Sequence, residues 1–239
     1  MIDFNLEKIA PKCAEFGAVL DSERIERLNL YGNLLLSWNE KMNLTAITDP
    51  EEVLYKQFYD CILFLKHLKL NKGDRLIDVG TGAGFPGMVL KIMRPDIKVT
   101  LLDSLNKRLV FLNDVIEKAG LSEVETVHMR AEDAGKSPLH RERYDIACAR
   151  AVAALPALAE YCLPLVKKGG SFVAMKGASA NEEAVAAANA AKLLGGEKPT
   201  IICETLTGNE SRAFIITKKI SQTPTKYPRK PSDISKQPL

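Results

Sequence analysis

The sequence predicts an α/β fold, a doubly wound sheet that is mainly parallel with an antiparallel edge strand, preceded by an N-terminal helical extension. Three observations carry this. From Arg75 onward, short apolar runs of strand length alternate with amphipathic stretches of helix length. The first of those strands breaks straight into glycines and re-enters as a helix, in Arg75-Leu-Ile-Asp-Val-Gly-Thr-Gly-Ala-Gly-Phe-Pro-Gly87. Residues 1–66 read as helices without a glycine-rich turn of their own. A chain of 239 residues with 46% hydrophobic content suits one α/β domain with appendages. The expected division is a helical cap over 1–66, the sheet domain over 67–220 and a basic, proline-rich tail over 221–239.

Taken in order, Leu6, Ile9, Cys13 and Phe16 fall on one helix face, with Gly17 as the stop. Asp21 or Ser22 caps a longer helix whose apolar stripe holds Ile25, Leu28, Leu35 and Trp38, a packing surface first of all. A polar stretch from Asn39 to Pro50 breaks it, and a third helix runs from Glu51 to about Lys66. The first strand, Leu76–Val79, leads into a helix ending at Met93. The second, Lys98–Leu102, ends in Asp103, and Asn106–Ala119 is amphipathic and closed by Gly120. Further strands are expected at Glu125–His128, Ile146–Ala149 (with Arg150 at its end) and Phe172–Met175, the last preceded by a turn at Lys168-Gly-Gly170. Helices are expected over Pro156–Leu165 and, alanine-rich, over Asn181–Leu194. Thr200–Glu204 and Ala213–Thr217 form an antiparallel pair at one edge.

On such a sheet, ligands bind at the carboxyl ends of the strands, beside the point where the strand order reverses. The glycine turn lies there. Gly82-x-Gly84-x-x-Gly87 matches the dinucleotide fingerprint, but several nucleotide-like ligands use such a turn. Its backbone N–H groups and the following helix N-terminus are expected to face the ligand. Asp78, two residues before Gly80, is the more informative residue: a carboxylate beside the ligand repels a pyrophosphate and attracts a cation. Asp-x-Gly-x-Gly-x-Gly therefore favours a ligand that carries both an adenosine and a positive charge, as S-adenosylmethionine does. The alternative is a purely structural strand–turn–helix.

Asp103 ends the second strand, where an acid holds a ribose hydroxyl pair; this fits NAD and S-adenosylmethionine alike. Ala131-Glu132-Asp133 follows the third strand and faces the adenine side. Arg150 and Lys176 end the fourth and fifth strands. A guanidinium is no base at neutral pH, so the role expected of Arg150, and of Lys176 in the analogous place, is positioning: holding a phosphate or carboxylate, or stacking on a base; the alternative for both is an ion-paired surface group.

The bulk charge is nearly balanced, at +3, but not evenly spread. From Lys218 onward there are six bases and one acid, which leaves the preceding residues slightly acidic. A basic tail on such a body suggests a polyanionic partner. Within it, Thr223-Pro-Thr-Lys226-Tyr227-Pro228-Arg229-Lys230-Pro231 has prolines that keep it extended, bases for phosphates and a tyrosine to stack on a base. The alternative is a disordered, solubilising tail. The five cysteines are scattered and the three histidines do not cluster with them, so neither a metal site nor a disulfide framework is expected. Free thiols without a signal peptide point to a cytoplasmic protein. The longest apolar-rich run, Tyr144 to Val166, contains three charges and two prolines and is no membrane span.

Asn43-Leu-Thr-Ala-Ile47, Asp78-Val-Gly-Thr-Gly-Ala-Gly-Phe-Pro-Gly87, Val99-Thr-Leu-Leu-Asp-Ser-Leu-Asn-Lys-Arg108, Arg130-Ala-Glu132, Ala149-Arg-Ala-Val152 and Lys226-Tyr-Pro-Arg-Lys-Pro231 occur in that order. Together they resemble the bacterial ribosomal RNA small subunit methyltransferase G family, also called the glucose-inhibited division protein B family, over nearly the whole chain. The resemblance implies a Rossmann-like methyltransferase sheet and transfer of a methyl group from S-adenosyl-L-methionine to N7 of one guanine, guanosine 527, in small-subunit ribosomal RNA. It carries cofactor contacts onto Gly80, Phe85, Ala131, Glu132 and Arg150, beside Asp78, Gly82, Gly84 and Asp103 from the turn and the fold. RNA-binding candidates are Asn43, Arg108, Lys176, Lys226, Tyr227, Arg229 and Lys230. The implied partner is small-subunit ribosomal RNA or an assembling 30S subunit, met by a monomer with no membrane and no metal. One departure is Lys56-Gln57, where the family often has Arg-His before the Asp60 position. The rivals are a nicotinamide-dependent oxidoreductase, for which no Tyr-x-x-x-Lys pattern is present, and a non-catalytic RNA-binding module.

Overall fold

The computed structural model, which describes residues 2–206 and 210–239, joins seven strands into one sheet. They are β1 (Arg75–Val79), β2 (Lys98–Asp103), β3 (Val124–His128), β4 (Tyr144–Arg150), β5 (Val166–Lys176), β6 (Thr200–Thr205) and β7 (Ser211–Lys218), in the spatial order β3-β2-β1-β4-β5-β7-β6. The pairs from β3 through β5 are parallel; β7 runs antiparallel to both β5 and β6. The reversed strand is therefore one place in from the edge, with β6 outermost.

Strand periodicity sorts the side chains into two cores. Leu76, Ile146, Cys148, Val173 and Met175 face one layer, while Ile77, Val79, Ala147, Ala149, Phe172 and Ala174 face the other. Burial on both faces is why these strands read as continuous apolar runs. The first layer holds α1 (Ala10–Ala14), α2 (Ser22–Asn39), the helical stretch α3 (Pro50–Glu52), α4 (Asp60–Ile62) and α5 (Phe64–His67), then α6 (Gly87–Met93) and α7 (Asn106–Lys118). The second holds α8 (Ala131–Ala134), α9 (Leu155–Cys162), α10 (Ala180–Ala186) and α11 (Ala188–Leu193). A last helix, α12 (Pro231–Lys236), packs against α9.

Local chemistry explains most boundaries. Asp21 caps α2 by accepting from the Arg24 amide, and Gly17 turns with φ +80° after α1. Asp49 caps α3 by accepting from the amides of Glu51 and Glu52. Between α3 and α4 the helix widens into π turns over Val53–Tyr59, a local form common at functional sites. Three expectations are corrected. Lys168-Gly-Gly170 lies within β5, where a register shift against β4 absorbs the extra residues; a Cβ on Gly170 would stand 2.4 Å from Asp145 O. The alanine-rich helix is two helices, α10 and α11, parted at Ala187. The tail does not stay extended: Tyr227 is buried in the second core, and Pro231 opens α12 at a position where a missing N–H costs nothing. Among the described residues, no helix is long and apolar enough to cross a membrane, and no group of three or more His, Cys, Asp and Glu comes together to hold a metal ion.

Candidate functional site

Two cavities open at the carboxyl ends of the parallel strands. The first, of about 450 Å³, is walled by Val79 and Gly80 after β1, Leu102 to Ser104 and Arg108 after β2, Met129 to Glu132 after β3, Ala151 to Ala153 after β4, and Tyr161 of α9. The second, of about 420 Å³, is walled by Thr45 to Ile47, by Lys56, Gln57 and Asp60 of the π turns and α4, by Arg150 and Ala151, by Met175 to Gly177 and by Arg212. Ala151 is common to both walls. It takes φ +56°, a left-handed conformation that costs an alanine roughly 1–2 kcal/mol and that such residues keep mainly at functional sites.

The glycine turn is built from within. Gly80 and Thr81 donate their amides to Leu102 O, Gly82 to Asp103 Oδ2, and Gly84 and Phe85 to Thr81 O. Gly87 donates to Asp78 Oδ2 at 2.9 Å. This corrects the expectation that the loop amides and the helix N-terminus face a ligand. Of the loop amides from Gly80 to Phe85, all but that of Ala83 are paired within the protein, and the start of α6 already carries a carboxylate. A diphosphate finds no cradle here.

Asp78 itself is fully buried, with the Thr81 hydroxyl donating to Oδ2 at 2.7 Å and no hydrogen bond to Oδ1 among the described residues. It is on neither cavity wall. Burial pushes its carboxyl up to about 6, against the lowering effect of the Thr81 and Gly87 bonds. From α2, Tyr31 reaches under the turn and donates to Ala83 O at 2.5 Å. Only glycine fits at the key points: a Cβ on Gly80 would stand 2.8 Å from Val152 Cγ2, and one on Gly84 2.8 Å from the Tyr31 hydroxyl.

The structure thus brings Gly80, Asp103, Arg108, Ala131 and Glu132 to the first cavity. Asp103 is 2% exposed; Oδ1 accepts from the Leu105 amide and Oδ2 from Gly82 and Arg108 Nη1, so the acid that ends β2 is held rigidly at the wall. Gly82, Gly84, Phe85 and Arg150 do not line it. The reason for Arg150 is strand parity. It shares a face with Ile146 and Cys148, so it points to the N-terminal helices rather than to α9. There its guanidinium lies 4.9 Å over the Phe85 ring and donates to Lys56 O, Asp60 Oδ2 and Gln57 Oε1. Phe85 is 5% exposed and packs against Tyr31 and Phe58.

Lys176 lies on the second cavity with Arg150; its ammonium donates to Ala153 O at 2.6 Å and pairs with Glu183 at 2.7 Å. Of the RNA-binding candidates, Asn43, Lys226 and Lys230 are exposed. Tyr227 and Arg229 are not free: the tyrosine is 6% exposed, and Arg229 grips fully buried Glu160 through its amide, Nε and Nη2. The sequence assigns no role to Tyr31, Thr81, Asp60 or Ala151. Tyr31 lies on the α2 stripe but carries no mark of its hydroxyl's role, and Asp60 lies 90 residues from its partner Arg150.

Comparison with known proteins bears on this geometry. The family model described as rRNA small subunit methyltransferase G matches residues 24–212. The ribosomal RNA small subunit methyltransferase G of Acetivibrio thermocellus is 52% identical over 225 residues, 94% of this chain and 92% of that protein. Its counterpart in Clostridium perfringens (strain 13 / Type A) is 46% identical over 237 residues, 99% of this chain and 98% of that protein. A solved structure of a mutant 16S rRNA (adenine(1408)-N(1))-methyltransferase from Catenulisporales acidiphilia superposes with a TM-score of 0.52 at 16% identity, covering 68% of this chain and 95% of that one. At that identity the likeness is one of fold.

Proposed function

We propose, from the premise that this chain belongs to the rRNA small subunit methyltransferase G family, that it transfers a methyl group from S-adenosyl-L-methionine to N7 of one guanine, guanosine 527, in small-subunit ribosomal RNA. The observation that carries the reading is the pair of cavities parted by Ala151. Two binding volumes that share a wall residue suit two ligands that must exchange a small group.

The first cavity fits the cofactor. Its volume lies in the range of about 300–1,000 Å³ usual for small-molecule sites. Asp103 stands at a strand end of the kind that holds ribose hydroxyls, and Ala131 and Glu132, on the same cavity wall, are suited to the adenine. The paired loop amides and the Asp78 carboxylate beneath them argue against a diphosphate and hence against a nicotinamide dinucleotide. When bound, S-adenosyl-L-methionine supplies a methyl group on a sulfonium that is already a leaving group.

The chain's own part is positioning. N7 of guanine has a lone pair and no proton, so no general base is required. Fixing the base in line with the methyl group contributes most. Arg150, immobilised by Phe85, Gln57 and Asp60, and Lys176, immobilised by Glu183, form a preorganised cationic wall of the second cavity and are suited to hold guanine O6. The target base must leave its stack to enter. Exposed Lys226 and Lys230 are suited to phosphates outside the cavity.

The test is methyl transfer in vitro. Purified protein, labelled S-adenosyl-L-methionine and small-subunit RNA from cells lacking the protein should yield 7-methylguanosine at a single position by mass mapping. A methyl group on another atom or base, or binding of NAD in place of S-adenosyl-L-methionine by titration, overturns the reading.

A further inference from the structure

The second cavity contains a group that the positioning argument leaves unused. Asp60 lies on its wall yet is only 2% exposed. Its Oδ2 accepts from Arg150 Nη1 at 3.2 Å. Its Oδ1 is ion-paired with Arg212 Nε at 3.4 Å but accepts no well-directed hydrogen bond among the described residues. Arg150 and Arg212 offset part of the cost of burying this acid, yet burial still raises its pKa, and Oδ1 keeps capacity to accept a better-directed donor. On a cavity wall, unlike the equally unsatisfied Asp78 Oδ1, such an acceptor is placed to take a donor from a ligand.

We propose that Asp60 is the specificity-determining residue of this cavity, its Oδ1 accepting from the N1–H and N2 amino group of an extruded guanine. The inference rests on the reading that the second cavity receives the target base. Only guanine presents two adjacent donors on its Watson–Crick edge. Adenine offers an acceptor, N1, beside its amino group. Cytosine likewise pairs one amino group with an acceptor, and uracil flanks its one N–H with two carbonyls. Against a fixed carboxylate, each of these leaves a lone pair facing a negative charge. Rejection on such a site is stronger than the loss of one contact, because mismatched polar groups remain buried and unpaired. N7 belongs to the Hoogsteen edge, which meets the edge Asp60 reads only at O6, so this contact leaves N7 uncovered. Arg150 has two roles on this account. It fixes the orientation of Asp60, and it neutralises the carboxylate enough for a neutral base to enter.

The experiment changes the substrate as well as the enzyme. Small-subunit RNA carrying guanosine or inosine at the target position, naked and in reconstituted subunits, is methylated by the wild type, Asp60→Asn and Asp60→Glu. Inosine keeps N1–H, O6 and N7 and lacks only the N2 amino group. The wild type should lose at least about tenfold in kcat/KM from guanosine to inosine. In Asp60→Asn that ratio should fall towards one, while S-adenosyl-L-methionine affinity stays unchanged. Equal wild-type rates on the two RNAs overturn the proposal, whatever the variants do. So does an undiminished ratio in Asp60→Asn or, should that variant not fold, in Asp60→Glu. A wild type that leaves guanosine N7 unmethylated sinks the underlying reading instead.

Discussion

Gly87 donates its amide to Asp78 Oδ2 across 2.9 Å, and this bond ties the first turn of α6 to the strand before it. The acceptor is fully buried, and burial pushes its carboxyl up from 3.8 to about 6. The folded state therefore holds this proton more tightly than the unfolded chain. Stability falls as pH rises from about 4 through about 6, and a cost on the order of 3 kcal/mol persists at neutral pH. Asp78→Asn keeps an acceptor and removes the charge. In urea unfolding, its stability relative to the wild type should rise by about 1–3 kcal/mol between about pH 4.5 and 7.5. At the higher pH its affinity for S-adenosyl-L-methionine, the cofactor proposed above, should fall. A stability difference that does not change with pH would remove the charge of Asp78 from the balance.

The glycines of the turn should fail for different reasons. A Cβ on Gly87 would stand 2.6 Å from Leu101 Cδ2 and 2.8 Å from Asp78 Cβ, so Gly87→Ala should cost about 1–3 kcal/mol by overpacking, with no relief from any other side chain. Gly82 has φ +59° and no atom nearer its missing Cβ than 3.9 Å. Gly82→Ala should cost about 1–2 kcal/mol for conformation alone, and Gly82→Asn should recover part of it because asparagine tolerates that region. Chemical denaturation of the three variants checks the ranking. Equal losses for Gly82→Ala and Gly82→Asn would contradict it.

How much of this was readable beforehand depended on sequence distance. The alternation of strands and helices, the Asp21 cap and the glycine turn are local, and each was legible in its own few residues. Asp103, Ala131 and Glu132 could be brought to one cavity because the carboxyl ends of parallel strands share one side of the sheet. Strand parity would have turned Arg150 away from that cavity, but what waits there, Gln57 and Asp60 on a π-widened helix, is fixed by packing between distant segments. The tail's sequence signal is compositional, and composition registers bases and prolines but not a buried acid such as Glu160, 69 residues before Arg229.

That acid changes what the tail predicts. Replacing Lys226 and Lys230 with glutamine should leave stability within about 0.5 kcal/mol of the wild type, since both are exposed. If the tail meets phosphates, each lost contact should make the salt dependence of RNA binding shallower by about 0.7–0.9 in the log–log slope. Arg229→Met should act otherwise. It strands Glu160, which is fully buried, and should cost roughly 3–5 kcal/mol with little change in the slope per folded molecule. Filter binding across a salt series, with thermal unfolding alongside, separates the two. A shallower slope from folded Arg229→Met would return that residue to the RNA surface.

The same C-terminal segment holds a second buried charge whose pH dependence runs the opposite way. Lys219 is 1% exposed, and its ammonium donates to Leu163 O and Thr223 Oγ1, each at 2.5 Å, with Glu142 Oε1 at 3.4 Å. Burial, only partly offset by Glu142, pulls its pKa down from 10.5 to about 8. Between those values the unfolded chain keeps a proton that the folded chain has lost, so stability rises with pH across that interval, by up to about 3 kcal/mol from this group. Lys219→Met lacks the titrating group. At about pH 7 it trades a desolvated charge for an apolar side chain, an exchange that is often near neutral. Between about pH 7.5 and 9.5 the wild type should therefore gain on the variant in urea unfolding by roughly 1–2 kcal/mol. Parallel profiles for the two proteins would mean that Lys219 stays charged inside the fold, held by the carbonyl, the hydroxyl and Glu142 together.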